Sequence, residues 1–506
     1  MQLRRFIRDT AGFAGTQYVV RLLLMVRGVV AARLLGPVAY GAWSAIQLVI
    51  DYGIQTSFGT LQGLDQTAPA AIVDGDRRRL DRIAHAALFN LIVFGVVFAA
   101  LALGYFARRE GQLRESWGLS GVAVAAACAL LTNVASWQTS LLRSHGRIGA
   151  VSGWFVIQGV IGSAVGLALI PWTGVKGLLW GWLLGTAVAL WYARRQARDL
   201  PRPVPTPSRE SIRVLALGFP MYLSLAITFV MRTLDRVIIL RFLGKEALGY
   251  YSLAVMALGF LLYLPDSIAY VLYPSLLRRY RESGDDPAAL RGPVERSMRV
   301  LALVMPALCG VAYLAADDAV LWLLPRFAAG VPSLRILCFG AAALGLASVG
   351  TILLMTLRRQ VVLVPLSIVA AALGAGLMIW VIHAGYGIRG VAWSSLGTYA
   401  FHSGALLAVA YSTLTGSATR GLLRVARELL PLAIAIPIAW VCNTLLPGKH
   451  VTGLLAFARL VAGVVLFLGA YAVAMLPLAR GIGLREVVRE TPLPFLRGAA
   501  AGGAQS

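Results

Sequence analysis

Arg33-Leu34-Leu35-Gly36, followed by Gly41 and Ser44, is the stretch that decides how this chain is organised. The same pattern returns 208 residues later as Arg241-Phe242-Leu243-Gly244, followed by Gly249 and Ser252. A second motif recurs at a similar offset, because Gly174-Val175-Lys176-Gly177 corresponds to Gly387-Ile388-Arg389-Gly390. Two motifs repeated in the same order predict a chain built from two related halves of about 200 residues each.

The composition is that of a membrane protein. Hydrophobic residues make up 58% of the 506 residues and charged residues 13%, and the mean hydropathy is +0.76. Apolar runs of about 20 residues, the length needed to cross a bilayer, follow one another with short breaks. We predict fourteen transmembrane helices, at residues 11–35, 41–65, 84–106, 118–142, 149–170, 175–194, 213–241, 248–274, 298–317, 333–357, 361–383, 388–412, 429–447 and 452–478.

The net charge of +24 has a distribution that favours a membrane over nucleic acid. With the amino terminus in the cytoplasm, the inner segments hold about thirty of the 46 Lys and Arg residues and the outer segments about nine. This asymmetry follows the positive-inside rule and suits contact with anionic membrane lipids. An even number of spans then places both termini in the cytoplasm. We expect no nucleic-acid partner.

The predicted fold is an all-α polytopic membrane protein with two six-helix lobes as a parallel internal repeat, plus two C-terminal helices. The first lobe covers residues 1–199, and a cytoplasmic Pro-rich linker at 200–212 leads to the second lobe at 213–414. The last two spans occupy 415–478, and 479–506 form a cytoplasmic tail. Because four prolines lie within residues 201–207, we expect an extended connector that serves as the hinge between the lobes.

The sequence offers no motif for an enzyme. It lacks a GxxxxGK[ST] phosphate-binding loop, and its five histidines have no metal-ligand spacing. The four cysteines lie inside apolar runs, where we expect inert, unpaired thiols. We therefore predict a protein without catalytic residues, metal or cofactor.

Charged side chains at membrane depth are the candidates for function, because they are costly there and usually face a cavity or a partner. Internal repeats are common in transporters, which hold the substrate where the repeats meet. Arg21 and Arg27 lie in the first span, and Arg232 and Arg236 lie in the seventh. Guanidinium groups bind phosphate in a fork, so the surplus of arginine favours an anionic ligand.

Polar residues of the second span would complete the cavity. Gln47, Asp51 and Gln55 follow one another at intervals of four and share one helical face, which Gln62 would continue. An alternative to a role in binding stays open for these charged residues. Pairs such as Arg27 with Asp51, or Arg232 with Asp235, could be salt bridges that only hold helices together.

Asp235 and Asp266 are the candidates for coupling to H⁺ or Na⁺. Burial would allow either carboxyl group to change its protonation or to bind a cation. For Asp235 we favour a salt bridge with Arg232 or Arg236, and we expect Pro265 to kink the eighth span beside Asp266. Arg335 and Arg459, near the outer ends of their spans, are expected to reach the membrane surface instead of binding substrate.

The repeated motifs resemble those of the polysaccharide transporter family of the multidrug/oligosaccharidyl-lipid/polysaccharide flippase superfamily. The similar stretches are Ala32–Gly41, Leu234–Gly244 with the following Gly249-Tyr250-Tyr251, and Tyr386–Trp393. The resemblance implies two lobes around a central cavity and alternating access. It also implies transfer of undecaprenyl-pyrophosphate-linked oligosaccharide across the bacterial inner membrane, for O-antigen, capsule or exopolysaccharide.

In this interpretation the four arginines bind the pyrophosphate, and a polysaccharide polymerase and other assembly proteins are further partners. Two relatives with the same fold are alternatives: a cation-coupled multidrug exporter, and a lipid II flippase. The usual "GFxRD" of the lipid II branch is Val26-Arg27-Gly28-Val29-Val30 here, which is a poorer match. A membrane scaffold without transport is a third alternative, although the chain has no soluble domain to bind partners.

Overall fold

The computed structural model describes residues 2–108, 118–445 and 454–479, whose regular structure is entirely helical. Short 3₁₀ turns lie at Gln55–Ser57, Pro287–Leu290, Pro325–Gly330 and Gln360–Val362. The α-helices in chain order are α1 (Gln2–Ile54), α2 (Thr60–Val73), α3 (Arg77–Ala107), α4 (Gly118–Ser144), α5 (Ile148–Thr173), α6 (Val175–Gln196), α7 (Arg209–Phe242), α8 (Gly244–Leu261), α9 (Tyr263–Glu282), α10 (Arg291–Leu323), α11 (Val331–Thr356), α12 (Leu363–His383), α13 (Gly387–Thr415), α14 (Ala418–Leu445) and α15 (Leu454–Ala479).

The predicted all-α membrane fold is confirmed. Among the described residues, 11 helical stretches are long and apolar enough to cross a membrane. The first of these stretches, Gly15–Ser57, contains two predicted spans that meet at Gly36. Helices α6 and α13 coincide with two further predicted spans. The tail predicted after residue 479 lies outside the described residues.

The repeated glycines all have positive φ. Gly36 and Gly244 have φ of 74° and 85°, and Gly174 and Gly387 have φ of 57° and 56°. Positive φ is readily reached only by glycine, so each of these residues turns the chain between two helical segments. In both motif pairs found in the sequence, the two copies therefore also share a turn at the equivalent glycine.

The first motif packs directly against its own repeat. A Cβ atom added to Gly41 would lie 1.8 Å from the carbonyl oxygen of Lys245, and one added to Gly249 would lie 2.0 Å from that of Pro37. Beside this crossing, the hydroxyls of Ser44 and Ser252 are 2.7 Å apart. Glycine lets two helix backbones touch, as small residues do in many membrane helix pairs.

The chain divides into two compact units. One unit consists of residues 1–260, 319–334 and 360–398, and the other of residues 261–318, 335–359 and 399–506. In the first unit, the indole of buried Trp137 donates a hydrogen bond of 2.8 Å to the Ala84 carbonyl oxygen within an apolar core. In the second, the Tyr471 hydroxyl donates to the Leu303 carbonyl oxygen at 2.9 Å, which ties α15 to α10. The two-lobe division stays a prediction.

The four cysteines are free and buried, as the sequence predicts. The connector has no helix over residues 201–208, whereas α7 begins at Arg209, so residues 209–212 of the predicted linker are helical. Asp199, which precedes the connector, is held in place by two arginines. Arg147 donates to both carboxylate oxygens of Asp199, at 2.8 and 2.5 Å. Arg77 adds a bond of 3.0 Å to the carbonyl oxygen of the same aspartate. The role of the connector as a hinge stays a prediction.

Close helix packing gives a first testable prediction, for the contact between α5 and α6. A Cβ atom added to Gly181 would lie 2.4 Å from the Gly166 Cα atom. We expect Gly181→Ala to lower the free energy of unfolding by about 2 kcal/mol or more, because backbone atoms cannot move aside as a side chain can. Thermal unfolding of the purified protein in detergent measures the change. Gly104→Ala, with nothing within 4 Å of the added atom, is the matched control and should not destabilise; equal stability of both variants would contradict the packing.

Candidate functional site in the first compact unit

Arg236 on α7 faces Asp51 on α1. The guanidinium Nη1 atom lies 3.6 Å from the Asp51 Oδ2 atom, and the side chains are 15% and 21% exposed. The sequence predicts both residues for the cavity and leaves open, as an alternative, a salt bridge of Asp51 with Arg27. The structure corrects this, because the register between α1 and α7, which are distant in sequence, brings Arg236 to Asp51 instead.

Asp235 is almost completely buried and is held by a hydroxyl. The Tyr251 hydroxyl donates to the Asp235 Oδ2 atom at 2.7 Å and lies 3.1 Å from the Ser395 hydroxyl. The predicted salt bridge of Asp235 with Arg232 or Arg236 is therefore wrong: among the described residues, Asp235 has no ion pair. Neighbouring side chains on a helix point in different directions, so Arg236 faces α1 while Asp235 faces α8 and α13.

Arg27 lies between two indoles. Its guanidinium carbon is 5.9 Å from the ring centre of Trp43 and 5.9 Å from that of Trp182, at the outer limit of cation–π attraction. Arg27 is half-buried and has no hydrogen bond or ion pair to any residue that the structure describes. It lies nine residues before Gly36, or about 14 Å along the helix, which is half the thickness of a membrane core.

The remaining predicted residues differ in their surroundings. Arg232 is half-buried and, within the described residues, makes no ion pair, whereas Arg21 is exposed. Gln47 and Gln55 are both half-buried, and Gln47 lies on α1 with Asp51, whereas Gln55 begins the 3₁₀ turn that follows α1. The structure thus provides two half-buried arginines, Arg27 and Arg232, without a carboxylate partner among the described residues, and one, Arg236, that is paired.

The polar face predicted for the second span is shorter than the sequence suggests. Helix α1 ends at Ile54, and α2 begins at Thr60 after Phe58 and Gly59 adopt left-handed backbone conformations. Gln62 is therefore on a different helix from Gln47, and the spacing of seven residues no longer places it on the same face. A milder interruption separates α8 from α9 at Leu262, which keeps right-handed backbone angles and lies three residues before Pro265, close to the predicted kink.

Asp266 belongs to the second compact unit, in the first turn of α9, where its side chain is exposed. In the same unit, Arg335 and Arg459 pair with acidic residues, so the expectation that they reach the membrane surface is corrected. Arg335 is hydrogen-bonded to Asp317 and, at 2.9 Å, to Asn443, and Arg459 lies 4.0 Å from Asp318. These arginines join α10, α11, α14 and α15, because two adjacent carboxylates on α10 attract them inward.

The Asp51–Arg236 pair gives a second prediction. Asp51→Ala and Arg236→Ala should each destabilise the protein, and the double variant should lose about 1 kcal/mol less than the sum of the two. The partial exposure of both side chains keeps the coupling small. A double-mutant cycle by thermal unfolding measures it. Gln47→Ala combined with Arg236→Ala should be additive, and equal additivity in both cycles would show that the pair contributes nothing.

The helices and their polar interior define the class of protein: a multi-pass membrane protein with the fold of known transporters. The chain resembles the structure described as "Lipid II flippase MurJ, inward closed conformation", with a TM-score of 0.68 at 13% identity, covering 92% of this chain and 99% of that one. An inward-facing multidrug resistance MATE family transporter of the MOP superfamily gives 0.60 at 16% identity, with 83% and 99% covered. A mutant of the Vibrio cholerae MATE transporter VcmN gives 0.57 at 15% identity, with 81% and 99% covered.

Residues 30–326 match the model of a family described as polysaccharide biosynthesis protein. The match covers more than half of the chain, and the chain belongs to this family. No curated protein matches it significantly. The expected family is thereby confirmed.

Proposed function

We propose that the protein is a flippase that moves undecaprenyl-pyrophosphate-linked oligosaccharide across the bacterial inner membrane by alternating access. The observation that carries the proposal is Arg27. A half-buried guanidinium without a carboxylate partner in the described part of the chain needs an anion, and the two flanking indoles limit its motion without neutralising its charge. A pyrophosphate supplies such an anion.

The other residues have distinct roles in this proposal. Arg232 adds a second cation for the pyrophosphate, and Arg21 and Arg236 add positive potential. Gln47, Asp51 and Gln55 offer hydrogen bonds to the glycan, while the prenyl chain stays in the lipid. Both termini lie in the cytoplasm, where the basic segments face anionic lipids. A polysaccharide polymerase is a candidate partner that would take up the translocated repeat unit.

Asp235 is the coupling group that we favour. Its carboxylate is 1% exposed and accepts a hydrogen bond from a tyrosine instead of facing an arginine. Such a carboxyl group can exchange a proton, or bind a monovalent cation, without first breaking an ion pair to a described residue. Asp266 stays a second candidate for the same role.

Two related functions have specific observations in their favour. The buried Asp235 also suits a cation-coupled exporter of amphiphilic drugs, and the likeness to the MurJ structure suits a lipid II substrate. Expression in a pump-deficient host distinguishes the drug exporter from the flippases, because broad drug resistance would favour the exporter.

Reconstitution in liposomes tests the proposed function. Purified protein should move a labelled pyrophosphate-linked oligosaccharide to the opposite leaflet, measured by its accessibility to an added glycosidase. Lipid II and the lipid-linked oligosaccharide should be compared in the same vesicles. Faster movement of lipid II would support the alternative flippase, and movement of neither substrate by correctly folded protein would refute both.

A further inference from the structure

We propose that the segment from Pro37 to Gly63 carries two gates, one at each end, with a hinge between them. The inference rests on the proposed function and names the parts of the chain that open and close. The outer gate is the crossing of the two repeated motifs, at Gly41 and Gly249. The inner gate is a second glycine contact, between α2 and the start of α7.

The outer gate is a contact between backbones. Gly41 and Gly249 leave no room for a methyl group, and the hydroxyls of Ser44 and Ser252, three residues further along each helix, are 2.7 Å apart. Substrate cannot pass between surfaces in such contact, so release on this side needs the two motifs to part. The hydrogen bond between the two serines joins two neutral groups, which keeps the cost of parting low.

The inner gate has the same construction. A Cβ atom added to Gly63 would lie 1.9 Å from the Val214 carbonyl oxygen, and one added to Gly218 would lie 1.9 Å from that of Gly59. This contact lies next to the connector, at the opposite end of the segment from Gly36. Both gates are closed in this structure, so it represents a state in which the segment blocks passage at each end.

The hinge is the break between α1 and α2. Residues 55–57 form a 3₁₀ turn, and Phe58 and Gly59 follow with φ of 43° and 95°. A phenylalanine in the left-handed region is strained, and strain of this kind concentrates at moving parts. An unbroken helix would transmit every motion of one end to the other, whereas the break lets each gate open while the other stays closed.

Crosslinking tests the outer gate. In a variant with all four native cysteines replaced by alanine, Ser44→Cys and Ser252→Cys should form a disulfide, because the two side chains already touch. A protease site placed in the exposed residues 202–206 reveals the bond, since the two fragments stay joined until reductant is added. Oxidation should abolish transport, and reductant should restore it. Full transport by the crosslinked protein would overturn the proposal.

Glycine replacement tests both gates without any substrate. The reporter is Gln47→Cys, between the gates, labelled with a membrane-impermeant maleimide from either side. Gly41→Ala with Gly249→Ala should raise outside labelling about tenfold, and Gly63→Ala should raise inside labelling similarly, if each shifts a minor open state to the major one. Gly376→Ala, with open space around the added atom, is the control. Unchanged labelling by folded variants would overturn the gates.

Combining the two experiments tests the hinge. With the Ser44–Ser252 crosslink formed, Gly63→Ala should still raise labelling of residue 47 from inside. A crosslink that suppresses this increase would mean that the segment moves as one rigid body, against the hinge. Because none of these labelling results depends on which lipid is carried, the gates can stand even where the proposed substrate fails.

Discussion

Replacing Arg27 by alanine should lower transport of the lipid-linked oligosaccharide about a hundredfold or more while leaving the protein in the membrane at normal abundance. Removing a cation that binds a buried phosphate costs about 3 kcal/mol, which corresponds to a factor of this size. Because Arg27 has no ion-pair partner in the described part of the chain, its removal leaves no carboxylate unpaired, so folding should be little affected. Arg27→Lys should recover only part of the activity, since lysine keeps the charge but not the fork.

The measurement is restoration of surface glycan in a deletion strain, with protein levels determined on blots. Arg33→Ala is the matched control, because this arginine lies on the same helix but is exposed. Trp182→Leu should give an intermediate loss, as it removes one indole beside the guanidinium and leaves its charge. Full activity of Arg27→Ala at normal abundance would refute the role of Arg27 in binding the pyrophosphate.

Asp235→Asn should abolish the response of transport to an ion gradient. The amide can still accept the hydrogen bond from the Tyr251 hydroxyl, so the local packing should persist, but it can neither release a proton nor attract a cation. In proteoliposomes, we expect wild-type transport to accelerate when a proton or sodium gradient is imposed, and the variant to move substrate at one rate with or without the gradient.

Two further variants make this experiment decisive. Tyr251→Phe removes the hydroxyl but keeps the carboxylate, so it should retain coupling with a changed ion dependence. Asp266→Asn changes the other candidate carboxyl group, which is exposed, and should leave coupling intact. Loss of coupling in Asp266→Asn alone would move the coupling site to α9.

Much of the fold could be predicted because it depends on local features. Apolar runs set the helices, and Gly36 and Gly244 mark the turns because few other residues adopt positive φ. The break before Thr60 could not be predicted in this way. Phe58-Gly59 offers only a single glycine as a signal, and the strained Phe58 gives none.

The site depends on contacts that periodicity cannot reveal. The sequence places Arg27 and Asp51 on their helices, but the partner of Asp51 is set by how α1 and α7 slide past one another. The sequence analysis does not identify Tyr251 as the hydrogen-bond donor to Asp235, although a tyrosine in an apolar span usually needs a polar partner. Trp182 gives no signal, because tryptophan is common at membrane surfaces and its neighbour here comes from another helix.

The crossing of the two motifs has the form of an isologous dimer interface held within one polypeptide. Gly41 meets Lys245 as Gly249 meets Pro37, which is the reciprocity that a two-fold axis imposes on identical subunits. Within one polypeptide the two sides of this interface can differ where contact allows it: Pro37 and Lys245 are different residues, whereas the glycines and serines that require close approach are the same in both motifs.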